Sequence, residues 1–167
     1  TNGPHVTYFR TGNGFSRLGQ NTVSLPYFWR PNDVNQVFLY DGSTTTQLTP
    51  GDSEAGSVRV NGNSVVWTSW DSESPRADVY LYDGTTVVNL TPGDSRGLSP
   101  DIWGSRVAWV GRDGDGANGV FLYDGQSTVR LTDEDSEWSL SMPDVSDRYV
   151  VWRARWRGDD DDDDADR

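Results

Sequence analysis

One fourteen-residue phrase occurs three times in this chain of 167 residues: Gln36-Val-Phe-Leu-Tyr-Asp-Gly-Ser-Thr-Thr-Thr-Gln-Leu-Thr49, Asp78-Val-Tyr-Leu-Tyr-Asp-Gly-Thr-Thr-Val-Val-Asn-Leu-Thr91 and Gly119-Val-Phe-Leu-Tyr-Asp-Gly-Gln-Ser-Thr-Val-Arg-Leu-Thr132. Tyr40, Tyr82 and Tyr123 stand 42 and 41 residues apart within it. A fixed period of that size marks a repeat architecture, in which each unit buries its apolar face only against its neighbours. Each copy is an alternating run, an Asp-Gly pair and a second short run ending in Leu-Thr, which predicts a hairpin in which both turn residues take positive φ. A second phrase precedes it: Ser57-Val-Arg-Val-Asn-Gly-Asn-Ser-Val-Val-Trp67, Pro100-Asp-Ile-Trp-Gly-Ser-Arg-Val-Ala-Trp109 and Pro143-Asp-Val-Ser-Asp-Arg-Tyr-Val-Val-Trp152. Trp67, Trp109 and Trp152 are 42 and 43 apart, and Trp29 reads as the earlier equivalent.

One repeat is therefore four short strands, A to D, near Val58–Val60, Val65–Trp70, Val79–Tyr82 and Val87–Leu90 in the second copy. Four strands at this period predict an all-β chain built of propeller blades. The motifs Pro-x-x-x-Gly-x-x-Val-x-Trp and Val-Tyr-Leu-Tyr-Asp-Gly-x-x-x-x-x-Leu-Thr resemble the repeats of TolB-type β-propellers. The resemblance covers nearly the whole chain. It implies fold rather than activity, since such propellers include binding scaffolds, peptidase accessory domains and polysaccharide lyases.

Four tryptophans and three Tyr-Asp-Gly phrases predict four blades, the last one short of two strands. His5-Val-Thr-Tyr-Phe-Arg-Thr-Gly-Asn-Gly-Phe-Ser-Arg-Leu18 reads as a hairpin that completes it and closes the ring. The expectation is one closed propeller over residues 1–157, followed by an acidic tail at 158–167. A monomer satisfies it, as does an eight-bladed ring of two chains swapping the same strands.

The composition narrows the function classes. Formal net charge is −12, which argues against nucleic acid as a partner and favours cations, basic proteins or simple solubility. There is no Cys, hence no thiolate chemistry, and no Lys, so every cation apart from His5 and the amino terminus is an Arg. His5 is the sole histidine, no Ser stands in a nucleophile elbow, and a histidine-rich metal site is excluded by count. No apolar run is long enough for a membrane-spanning helix.

Alternating strand direction puts the B–C and D–A loops on one face, and by that rule 20 of the 26 acids lie there. Asp113-Gly-Asp-Gly-Ala-Asn118 resembles the start of a calcium loop without its distant bidentate Glu. Asp113, Asp115 and Asn118 are thus candidate calcium ligands; the alternative is a solvated turn. Trp70, Trp138 and Trp156 fall outside the tryptophan period and lean toward the same face, with Arg112 beside them. Rings beside Arg form a protein hot spot or a sugar platform. The expected function is a non-enzymatic binding scaffold that engages a protein partner through the acidic loop face. A lectin-like propeller and a polysaccharide lyase or hydrolase are the alternatives. The resemblance and a chain starting at Thr1 imply a secreted, periplasmic or cell-surface location.

Overall fold

The computed structural model of the chain describes residues 6–11, 14–18, 35–49, 53–70, 76–133 and 138–156. They form fourteen strands in four antiparallel sheets, with no helix among the described residues. The first sheet runs β2 (Gly14–Leu18), β1 (Val6–Thr11), β3 (Gln36–Tyr40), β4 (Thr45–Gln47). The second runs β5 (Glu54–Asn61), β6 (Ser64–Trp70), β7 (Ala77–Tyr82), β8 (Val87–Asn89). The third runs β9 (Arg96–Trp103), β10 (Arg106–Arg112), β11 (Asn118–Tyr123), β12 (Thr128–Arg130). The last is the pair β13 (Trp138–Val145) and β14 (Val150–Trp156). The A-to-D order expected for the second repeat is therefore present there and again in the third.

The repeated phrases fold alike because the same bonds recur. The amides of Leu48, Leu90 and Leu131 donate to the carbonyls of Val37, Val79 and Val120, each at 2.8 Å. The next residue's hydroxyl, on Thr49, Thr91 and Thr132, accepts from the same three valine amides at 3.1, 2.9 and 3.2 Å. Leu-Thr is thus a clamp that fastens strand D to strand C. The Asp-Gly turns differ from expectation. Four residues, not two, separate the paired positions Tyr82 and Val87, and of Asp83 and Gly84 only the glycine has positive φ, at 98°. The reason is the carboxylate: Asp83 Oδ1 accepts from the amides of Thr85 and Thr86, both at 2.8 Å, so the aspartate side chain closes the turn. Asp41 and Asp124 do the same.

These amide bonds hold the carboxyls of Asp41, Asp83 and Asp124 below the usual aspartate range. A depressed folded-state pKa stabilises the fold above the unfolded value of about 4 and ceases to do so as pH falls through the lower folded value. The triple variant Asp41→Asn, Asp83→Asn, Asp124→Asn should therefore show a smaller loss of melting temperature between pH 5 and about pH 2 than the native chain. Parallel melting curves across that range would remove this role.

The core lies between sheets. Val66, Val79, Leu81, Leu90, Ile102, Val107, Trp109 and Phe121 form one cluster joining the second and third sheets. Val37, Ala55, Val58, Val65 and Trp67 join the first to the second. Ala108, Leu122 and Val145 join the third to the last. Trp67 stacks on Tyr80 and Trp109 on Phe121, each with ring centres 5.8 Å apart. The A strands share a bulge in which Ser57, Ser99 and Met142 take positive φ of 49–52°. Such bulges sharpen strand twist, and their recurrence makes them part of the repeat.

Ring closure by the N-terminal hairpin is not what the structure shows. β1 pairs with β3, from Val6 opposite Tyr40 to Arg10 opposite Gln36, and β2 lies outside it. The hairpin occupies the A and B places of the first sheet, and the last sheet stays two-stranded among the described residues. Chain entropy favours this pairing, because residues 19–35 alone separate the hairpin from β3, whereas β14 begins at Val150. Trp29, expected on a B strand, lies outside the described residues, as does the acidic tail.

Candidate functional site

Antiparallel pairing brings the starts of β9, β11 and β13 to the same end as the finish of β10 and β14. Between the third and last sheets at this end lies a cleft of about 270 Å³. Arg96, Arg112, Asn118, Trp138 and Leu140 line it, with Gly111 and Gly119 in its floor. Arg96 and Arg112 are cross-strand partners, so their side chains leave the same face of the sheet from neighbouring strands. Like charges opposite one another on a sheet are unfavourable. Arg112 Nε donates to Asn118 Oδ1 at 2.8 Å, which fixes that arginine at the rim.

Trp138 and Trp156 face each other across β13 and β14, edge to face, with ring centres 5.1 Å apart. Both are substantially exposed. Trp70 is placed elsewhere: it ends β6 in the second sheet, half-buried, with its ring over Gly56. Three of the singled-out residues, Arg112, Asn118 and Trp138, thus meet in the cleft, Trp156 buttresses Trp138, and Trp70 stands apart.

The Asp113–Asn118 loop is a tight turn. Asp113 Oδ1 accepts from the amides of Asp115 and Ala117 at 3.2 and 2.9 Å, and its Oδ2 meets Arg130 at 3.1 Å. The side-chain oxygen of Asn118 accepts from Arg112. Among the described residues no three acidic, histidine or cysteine side chains group closely enough to hold a metal ion. Other acids of this face are also engaged: Asp94 pairs with Arg76 at 2.7 Å, and Asp78 accepts from Asn89 at 3.1 Å.

Two cations went unread in the sequence. Arg96 follows the repeated Asp-Ser pair and looks like part of that loop, yet it is the first residue of β9. Arg130, in the expected strand D, is the hub beneath the loop: besides Asp113, it reaches the carbonyls of Asn118 and Asp133 and lies over the Phe121 ring. The alternation of β9 is the signal that would have found Arg96.

No family model matches the chain, and no curated protein does. Solved structures do. The propeller domain of the trilobed protease from Pyrococcus furiosus, described as having an open velcro topology, is 20% identical, with a TM-score of 0.50 over 62% of this chain and 33% of that one. An acylaminoacyl peptidase of Pyrococcus horikoshii is 17% identical, with a TM-score of 0.49 over 73% and 21%. A TolB candidate of Agrobacterium tumefaciens is 20% identical, with a TM-score of 0.43 over 59% and 41%. The chain thus spans less than half the length of each. The expectation of a non-enzyme does not stand, because the propeller domain that this chain resembles belongs to a protease. Folding as a propeller does not set a chain apart from enzymes. The chain has the β-propeller fold, similar to that of the trilobed protease's propeller domain.

Proposed function

We propose that this propeller is a binding module that engages a protein partner at the loop end of its third and last sheets. One observation carries the reading: Arg96 and Arg112 stand opposite each other at the rim of a cleft walled by exposed Trp138. Their mutual repulsion falls when a carboxylate lies between them, and guanidinium forks match carboxylates in pairs. Trp and Arg are also the side chains that dominate protein interfaces. The sequence-based picture of an acidic docking face changes accordingly. Among the described residues Asp113, Asp94 and Asp78 are drawn into a turn, ion pairs and a hydrogen bond, and the cleft presents cations, so the partner brings an acidic side chain to it. The TolB-type repeat pattern supports a secreted, periplasmic or surface-held location.

The test is capture by the immobilised chain, with Trp138→Ala and Arg112→Ala beside it. Both residues are exposed at the rim, so the variants keep the fold, which circular dichroism checks. A specific partner bound by the native chain should bind either variant at least about tenfold more weakly. Equal binding by all three discards this site. A glycan array run in parallel addresses the second reading, which the exposed Trp138 ring carries; binding there that Trp138→Ala removes makes the ligand a sugar. Running each arm with calcium and with EDTA shows whether Asp113, Asp115 and Asn118 take part through a cation, which would have to draw Asp113 from Arg130.

A further inference from the structure

In the second and third sheets the B strand is an interior strand: β6 is covered by β7 and β10 by β11. In the last sheet β14 has β13 on one side and, among the described residues, no strand on the other. The consequence shows at the repeated tryptophan. Trp67 and Trp109 are 1% and 2% exposed and stack on Tyr80 and Phe121, their direct cross-strand partners. Trp152 is 38% exposed, and Val151 and Trp156 beside it are more so. A seven-residue edge with exposed Val and Trp is a template for strand addition.

We propose that this edge is covered by β14 of a second copy of the chain, paired antiparallel around a two-fold axis at Trp152. Two half-sheets then make one sheet in the order β13-β14-β14-β13, with the same four strands as every other sheet. Trp152 meets Trp152 of the second copy directly, which supplies the aromatic partner that Tyr80 and Phe121 supply elsewhere.

Charge selects this register. Centred on Trp152, the pairing sets Val151 opposite Arg153 and Val150 opposite Ala154, so each Arg stem lies along a valine and its guanidinium reaches water. Centred on Arg153 it would oppose two Arg153 side chains, and centred on Ala154 it would oppose Arg153 and Arg155; both are disfavoured. In the N-terminal hairpin β1 has both edges committed, to β2 and to β3. The run Asp159–Asp164 follows β14 directly, but six adjacent carboxylates repel one another and suit a strand poorly. An edge pairing of like strands is isologous and closes at two copies.

The absence of cysteine makes the interface readable by single substitutions. Sedimentation of the native chain over a concentration series should show a monomer–dimer equilibrium that tightens with added salt, because each copy carries a net charge of −12. Trp152→Cys should yield a covalent dimer on oxidation, whereas Ser141→Cys, one strand in from the edge, should not. Val151→Lys sets a cation opposite Arg153 at two symmetric places and should weaken the dimer by about tenfold, while Val151→Glu retains it. Val151 is exposed, so neither change empties the core. A monomer at every concentration, a dimer indifferent to Val151→Lys, or equal cross-linking at positions 141 and 152 would overturn the proposal.

Discussion

Trp109→Ala should lower the unfolding free energy by about 3–5 kcal/mol, the cost of emptying a large aromatic site in a close-packed core. The side chain is 2% exposed, stacks on Phe121 and belongs to the cluster that joins the second sheet to the third. Its removal therefore weakens two sheets and the contact between them. Trp152→Ala changes the same residue at the same place in the repeat, yet Trp152 is 38% exposed, on an edge that no strand covers among the described residues. In dilute solution, with β14 uncovered, its loss should be about 1 kcal/mol, because less apolar surface leaves water there on folding. Chemical denaturation of both variants at low protein concentration measures the difference. Equal losses would mean that Trp152 is buried by part of the same chain, and the picture of a two-stranded last sheet would fail.

That contrast also shows what the sequence can and cannot convey. The period, the four strands of each repeat and the direction of each hairpin are written in Tyr-Asp-Gly, Leu-Thr and the spaced tryptophans, since every copy must make the same local bonds. Val79 and Thr91 clamp strands C and D wherever that phrase occurs. The place of the N-terminal hairpin is not written so. His5–Leu18 has the alternation of a hairpin, and that pattern suits the edge of β3 as well as that of β14; loop length rather than residue chemistry separates the two. The candidate site was legible in part for the same reason. Trp138 stood out by falling outside the tryptophan period and Arg112 was placed with it, but the cleft needs Arg96, which is cross-strand from Arg112 and sixteen positions from it. Asp113 admits two readings because an aspartate that closes a turn and one that holds a cation use the same short Gly-bent loop. Its ion-pair partner, Arg130, lies in another strand.

Gly111→Ala should be the most damaging small substitution near the cleft. A Cβ on Gly111 would lie 2.0 Å from the carbonyl oxygen of Arg96, with Gly97 Cα at 3.0 Å. Gly97 is its cross-strand partner, and a Cβ there would meet Trp109 and Val79 at 2.6 Å each. The two glycines thus let the third sheet close on itself and on the second, and what stands in the way of a Gly111 side chain is β9 backbone rather than the end of a flexible side chain. Overpacking in such a place costs about 1–3 kcal/mol and more when backbone must move, so the melting temperature should fall by about 5 °C or more. Gly114→Ala is the control: it lies in the neighbouring loop, a Cβ there meets nothing within 4 Å, and melting should be unchanged within about 1 °C. The same clash must push Arg96 away from Arg112, so Gly111→Ala should also weaken capture of a partner at temperatures where it is still folded. If Gly111→Ala melts and binds like Gly114→Ala, β9 and β10 are not packed as closely as described, and the paired arginines lose the geometry on which the binding site depends.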